Sequence, residues 1–298
     1  MSHVATLISN PSAPALTRTV VDAARILLPV AGKPAMLAEG VACDIPFEFA
    51  ANGDASALLA SLRAAIEPAP IDVVIQTAAR RKKKLFLADM DSTMIAQECI
   101  DELADFAGLK AHIAAITERA MKGEIDFVPA LRERVALLKG LPAGVIDEVI
   151  EQRIRLTPGA RALVMTMKKH GAYTCLVSGG FTLFTSRIAA MIGFDENRAN
   201  RLVIENGKLA GSVEEPILGR EAKLATLKEL TAKLKLDPAD TLVAGDGAND
   251  IPMIEAAGLG VAYHAKPAVV AAAAARIDRG DLTALLYLQG YKRKEFVE

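Results

Sequence analysis

The chain has 298 residues, a formal net charge of −1, 52% hydrophobic residues, 4% aromatics and no tryptophan. It is long enough for one large domain or two smaller ones with a real core, and too apolar to be disordered. The near-neutral charge gives no global pull toward nucleic acid or an anionic membrane, and the few aromatics offer no platform for stacking bases, so any anion site must be built locally.

The N-terminus, MSHVATLISNPSAP, lacks a basic start and a long apolar stretch, and the Ala-rich segment Pro267–Ala275 is too short to span a bilayer. Cys43, Cys99 and Cys175 are odd in number, far apart and without a CxxC, which argues against a disulfide framework or zinc knuckle and points to buried thiols in a reducing cytoplasm. A soluble cytoplasmic protein without nucleic-acid or membrane partners is the expectation; the sequence leaves a homodimer open.

In chain order, Val4–Ile8 predicts a strand, Ala13–Leu28 a helix, Pro34–Phe49 an extended run, Ala55–Ile66 a helix and Ile71–Gln76 a strand. This alternation predicts a small N-terminal α+β module over residues 1–80, ferredoxin-like in plan. The basic run Arg80–Lys84 reads as a solvated linker marking the boundary with a second unit, residues 81–298.

Leu85–Ala88 is a short continuous apolar run, as expected for a strand buried on both faces of a parallel sheet, and it ends in Asp89-Met90-Asp91-Ser92-Thr93. Helical spacing over about 98–155 predicts an inserted helical cap. Thr157-Pro158 reads as the N-cap and first position of a helix reaching His170. Tyr173–Val177 predicts a second buried strand ending in Ser178-Gly179-Gly180, with a helix over Thr182–Met191 behind it. Arg201–Val213, centred on Asn206-Gly207, predicts a hairpin, and Arg220–Leu234 a helix carrying Lys223. Thr241–Ala244 predicts a third buried strand ending in Gly245-Asp246-Gly247-Ala248-Asn249-Asp250; a helix to Ala257 and a strand, Leu259–Tyr263, close the pattern. The fold expected from Leu85 onward is a doubly wound parallel α/β sheet, whose ligands sit beyond the carboxyl ends of its strands.

The polar clusters lie at those ends. Asp89, Asp91, Asp246 and Asp250 gathered together would repel and raise one another's pKa; a hard cation with oxygen ligands, Mg²⁺, relieves this. A cation-bound aspartate can attack phosphorus, and a second carboxyl two residues on can protonate the leaving oxygen and later deprotonate water. The Ser178 hydroxyl, the Gly179 and Gly180 backbone N–H groups and Lys223 supply donors for a phosphoryl group. Each alone reads as an ordinary turn or a solvated lysine; together they point to phosphoryl transfer.

Asp89-Met90-Asp91-Ser92-Thr93, Ser178, Lys223 and Gly245–Asp250, in that order, resemble the four motifs of the haloacid dehalogenase (HAD) superfamily. From Leu85 onward the chain looks like its phosphoserine phosphatase family. The resemblance implies Asp89 as nucleophile and Asp91 as acid/base. It implies Mg²⁺ on the Asp89 carboxylate, the Asp91 carbonyl and Asp246, with Asp250 behind it. Ser178 and Lys223 would hold phosphate, with Asn249 nearby. Glu98 matches the family's ammonium-binding glutamate, Phe127 its packing phenylalanine and Arg134 its carboxylate-binding arginine, whereas Arg132 lies on a neighbouring helical face. The implied reaction is hydrolysis of O-phospho-L-serine to L-serine and phosphate, the last step of serine biosynthesis. Residues 1–80 resemble, in strand–helix order and position, the ACT-like amino-acid-sensing extensions of some relatives. Two other readings compete: a HAD phosphatase or phosphotransferase for another small phosphorylated amino acid or alcohol, and an amino-acid-sensing regulator with an idle HAD fold.

Overall fold

The computed structural model describes residues 2–50, 53–121 and 124–298. The N-terminal part runs β1 (His3–Ser9), α1 (Arg18–Leu27), β2 (Ala35–Ala38), β3 (Ala42–Phe47), α2 (Ala55–Ile66) and β4 (Ile71–Thr77). The extended run expected over 34–49 is thus a two-stranded hairpin turning at Glu39–Val41. The four strands form an antiparallel sheet in the order β2-β3-β1-β4. Side chains alternate across it: Ala5, Leu7, Cys43, Ile45 and Val73 pack under α1 and α2, while Ile8, Ala42 and Val74 join the core of the rest of the chain.

The parallel sheet begins with β5 (Leu85–Ala88). Four helices follow: α3 (Cys99–Phe106), α4 (Lys110–Met121), α5 (Phe127–Leu137) and α6 (Val145–Arg153). Then come α7 (Ala160–Lys169), β6 (Tyr173–Phe181), α8 (Thr182–Ile192), β7 (Glu196–Asn200) and the hairpin β8 (Leu202–Glu205) and β9 (Lys208–Val213). The chain closes with α9 (Arg220–Lys233), β10 (Thr241–Gly245), α10 (Ile251–Ala256), β11 (Leu259–Tyr263), α11 (Pro267–Ala272), β12 (Ala275–Ile277) and α12 (Ala284–Leu288). The order β12-β11-β10-β5-β6-β7 is parallel throughout. Both faces are covered, which is why its central strands read as unbroken apolar runs. Leu85, Leu87, Cys175, Val177 and Val243 meet α9 and α10, while Phe86, Ala88, Leu176, Leu242 and Ala244 meet the core that includes α7, α8 and α12. The chain leaves β5 toward β6 and β7, then returns to the other side with β10, so a crevice opens at the carboxyl ends of β5 and β10.

Three expectations need correction. The helix expected from Thr157-Pro158 starts at Ala160. Gly159 precedes it in the left-handed region (φ 82°), while the Thr157 N–H donates to the Met94 carbonyl at 3.0 Å. The pattern does not close at β11: β12 lies beyond it on one edge, and β7 forms the other. The run Arg80–Lys84 is not a solvated linker throughout. Lys83 is buried, its ammonium donating to the Ala239 carbonyl, and Arg81 is 13% exposed.

Arg81 sits in a polar seam between the N-terminal sheet and the rest of the chain. Its guanidinium donates to both Asp44 oxygens (2.6 and 3.0 Å), to Thr6 Oγ1 and to the Tyr287 and Leu288 carbonyls. Nearby, the buried Asp72 accepts the backbone N–H groups of Asp278, Arg279 and Gly280, and Gln76 donates to the Leu288 carbonyl at 2.7 Å. Removing one member of a buried charged pair strands the other. Arg81→Met should therefore cost about 3 kcal/mol in urea unfolding. Lys82→Met, at a side chain 52% exposed, should stay within about 0.5 kcal/mol. Equal small effects at both positions would mean that the seam carries no stability.

Candidate active site

Asp89 follows β5 directly, and its N–H donates to the Ala244 carbonyl at 3.0 Å, extending the ladder with β10. The chain then makes one π-type turn, Met90–Met94, with Ser92 at φ 54°, a region that residues other than glycine rarely adopt. Within this turn Asp91 faces the same cavity as Asp89. The Asp91 carboxylate accepts from the Cys99 N–H (2.8 Å, Oδ1) and the Ser178 hydroxyl (3.2 Å, Oδ2). Ser178 Oγ in turn accepts the Gly180 N–H at 2.9 Å. A Cβ on Gly180 would lie 3.1 Å from Ser178 Oγ and 3.3 Å from Asp91 Oδ2, so a side chain there would crowd both.

The next strand over supplies the other acids. Asp246 follows β10 and accepts from Thr93 Oγ1 at 3.3 Å. Asp250 folds back beneath it: its Oδ2 accepts the Asp246 and Gly247 N–H groups at 3.2 and 3.1 Å. Oxygens of Asp89, Asp246 and Asp250 all lie within 4.8 Å of one another, the one such cluster among the described residues. Burial pushes the Asp89 carboxyl well up, and the charge on Asp250 pushes it further; burial and Asp250 likewise raise Asp246. An all-oxygen, acid-rich set in which burial and a neighbouring charge disfavour the ionised forms of Asp89 and Asp246 suits a hard divalent cation, which would restore those two carboxylates. The residues fit a metal ion.

Lys223, in the first turns of α9, is 2% exposed. Its ammonium lies 2.7 Å from Asp89 Oδ1 and 2.7 Å from Asp250 Oδ1. Burial by itself would lower its pKa, but the two carboxylates outweigh it and hold the lysine charged. Lys223 and Asp250 therefore stand behind Asp89, outside the cavity lining.

The cavity measures about 160 Å³ and is lined by Asp89, Asp91, Glu98, Phe127, Arg134, Ser178, Gly179, Gly180, Asp246 and Asn249, ten of the twelve residues expected from sequence. Its far wall comes from the helical insertion. Glu98, immediately before α3, reaches solvent at the mouth and accepts the Ser92 hydroxyl at 2.7 Å. Partial enclosure, then the charge on Asp91, push its carboxyl up to about 7. Arg134, on α5, donates through Nε to the Ala130 carbonyl at 3.2 Å and forms no ion pair among the described residues. Arg132 pairs with Glu215 and does not line the cavity, so the two arginines are separated as the helical face predicts. Phe127 stands over Gly179, where an added Cβ would touch its ring at 3.4 Å.

Cys99, Ile100, Leu131, Phe181, Gly247 and Lys266 also line the cavity, and the sequence assigned none of them a role in the site. Lys266 is the notable one. Its N–H donates to the Asp246 carbonyl at 3.1 Å, and its charge opposes the rise in the Asp246 pKa. The only signal for it is its place just before Pro267 at a helix start after a buried strand. No helix among the described residues is long and apolar enough to cross a membrane.

The haloacid dehalogenase-like hydrolase family matches residues 86–255. A phosphoserine phosphatase of a Polaromonas species is 50% identical over 210 residues, covering 69% of this chain and 89% of that protein. Among solved structures, a HAD family hydrolase from Salmonella enterica serovar Typhi superimposes with a TM-score of 0.84 at 29% identity, covering 97% of this chain and 98% of that one. A substrate-bound phosphoserine phosphatase aligns with a TM-score of 0.64 at 40% identity, covering 69% of this chain and 98% of its own. With the motifs at the strand ends and the relatives in agreement, the chain belongs to the haloacid dehalogenase-like hydrolases, on the phosphoserine phosphatase branch of that family.

Proposed function

We propose that this protein hydrolyses O-phospho-L-serine to L-serine and phosphate. One observation carries the reading: a small cavity floored by Asp89, Asp91 and Ser178 has on its wall an acid, Glu98, and a guanidinium, Arg134, that forms no ion pair among the described residues. A phosphomonoester that also carries an ammonium and a carboxylate needs those three poles at once.

In this reading Asp89 attacks phosphorus, giving an aspartyl-phosphate and releasing the seryl oxygen. Asp91, whose carboxyl is pushed up by burial, carries the proton for that oxygen. Asp91 then takes a proton from the water that cleaves the acyl phosphate, freeing Asp89. The Ser178 hydroxyl and the Gly179 N–H face the phosphoryl oxygens as charge builds on them, while the Gly180 N–H, which the sequence pointed to as a third donor, is taken up by Ser178 Oγ and positions it. Lys223 acts from behind, holding Asp89 oriented and ionised through their 2.7 Å contact. Asp89, Asp246 and the Asp91 carbonyl would hold Mg²⁺, with Asp250 behind them. The ion's contribution is to neutralise the phosphoryl oxygens and the attacking carboxylate.

Phosphate release should be lost with EDTA and restored by Mg²⁺. Asp89→Asn, which keeps the shape and removes the nucleophile, should lower kcat by about 10³-fold or more. A variant retaining near-full turnover would refute the covalent route. Among phospho-L-serine, phospho-L-threonine, phosphoethanolamine, phosphoglycerate and p-nitrophenyl phosphate, the first should be strongly preferred. Glu98→Gln and Arg134→Met should each lower kcat/KM for phospho-L-serine by about 10- to 100-fold, the worth of one charged hydrogen bond. Turnover of p-nitrophenyl phosphate should change little. Equal losses on both substrates would remove the recognition role from those two residues.

A further inference from the structure

Away from the catalytic cavity, a cleft of about 420 Å³ opens where α2 and β4 meet β12 and the loop after it. Three arginines from three segments face it: Arg63 of α2, Arg276 of β12 and Arg279 of the loop. Three acids share the walls, but two of them are already engaged. Both Asp72 oxygens accept backbone N–H groups, from Asp278 at 2.9 Å, Arg279 at 3.0 Å and Gly280 at 2.8 Å. Asp278 is paired with Arg276. The third, Glu67, stands exposed at the end of α2 and makes no ion pair among the described residues. The side chains of Arg63 and Arg279 therefore have neither a hydrogen bond nor an ion pair among the described residues. Arg63 is half-buried, and its guanidinium is held below its ordinary pKa by burial and then by the like charge of Arg276.

Asp278 and Asp72 offset part of the repulsion among the three guanidinium groups, but both carboxylates are engaged elsewhere, which leaves the forks of the half-buried Arg63 and the exposed Arg279 open toward one void. They offer the planar donor pattern that oxyanions accept in pairs. We propose that this cleft is a binding site for a small dianion with carboxylate or tetrahedral oxyanion oxygens. Arg63 clamps it from the N-terminal side and Arg279 from the parallel-sheet side, with Arg276 in support. Nothing in the catalytic reading uses these residues. An occupant bridges the two sheets next to the Asp72 seam, so it stabilises the folded chain by binding that form alone. The loop it touches also leads toward the active site. The Gly280 carbonyl meets His264 Nε2 at 3.0 Å, and two residues on Lys266 holds the Asp246 carbonyl.

The test is thermal unfolding of the full chain in sodium sulfate or in sodium succinate, with ionic strength held constant by sodium chloride. A saturable rise in Tm is expected with at least one of the two. Sulfate alone would identify a tetrahedral site, succinate alone a dicarboxylate site, and both a site that reads charge. The rise should vanish in Arg63→Gln/Arg279→Gln and persist in Arg134→Met, whose change lies in the catalytic cavity. Turnover without added anion should be unchanged in the double variant. If the double variant does not fold, Arg63→Lys, which keeps the charge and loses the fork, should weaken the anion's apparent affinity several-fold. The proposal is overturned by no saturable rise, by an equal rise in the double variant, or by a rise lost only in Arg134→Met.

Discussion

Crowding of carboxylates at one sheet edge sets the terms for the rest of this molecule. Parallel pairing of β5 with β10 places Asp89 beside Asp246, and Asp250 folds back beneath them. This last step depends on glycine: a Cβ on Gly245 would come within 2.4 Å of Asp250 Oδ2. Three buried acids in so small a volume are unstable as neighbours, and the Lys223 ammonium offsets part of their charge from behind. What remains unbalanced faces the cavity, where a cation and a phosphoryl group would complete it. The helices on both sides of the sheet keep water away from this arrangement, which makes each charge count for more.

Chemistry and recognition are divided between two parts of the chain. The groups assigned to phosphoryl transfer hang from the ends of β5, β6 and β10, where the ladder fixes their positions. The groups assigned to substrate choice, Glu98, Phe127 and Arg134, belong to the inserted helices. Their bonds are local or weak: Glu98 meets Ser92, and Arg134 meets a carbonyl of its own helix. A change of substrate could therefore arise in the insertion without disturbing the reacting centre.

The parts of the fold legible in the sequence were those with local or periodic causes. The strands β5, β10 and β11 are apolar because both faces are covered, and Asn206-Gly207 marks its hairpin because both residues adopt positive φ. The strand β7 escaped because it is an edge: Glu196 and Arg198 pair with each other and with Tyr173 and Glu229, so the segment carries no apolar run. At three residues β12 is too short to show a period. Arg81 and Lys83 looked solvated because their partners are distant in sequence; Asp44 and Ala239 become neighbours only in the folded chain. Lys223 was recognised as part of the site, but its place behind Asp89 follows from how α9 crosses the sheet, which no spacing reveals.

The linkers to the inserted helices carry a mechanical consequence. Ile95 and Leu156 form an antiparallel bridge, flanked by the Ala96 N–H on the Arg155 carbonyl and the Thr157 N–H on the Met94 carbonyl, both at 3.0 Å. The outgoing and returning strands are thus riveted into one ribbon. The insertion has a second attachment as well: the Gly140 and Ala143 N–H groups donate to the Leu209 and Gly207 carbonyls of the β8–β9 hairpin at 2.8 and 2.9 Å, and the Leu209 N–H donates back to the Leu141 carbonyl, so the four helices are tied down at two places and do not hang from the ribbon alone. Glu98 is thereby set beside the first attachment, two residues past the ribbon, whereas Phe127 and Arg134 lie on α5, the helix that packs on β9 of the second.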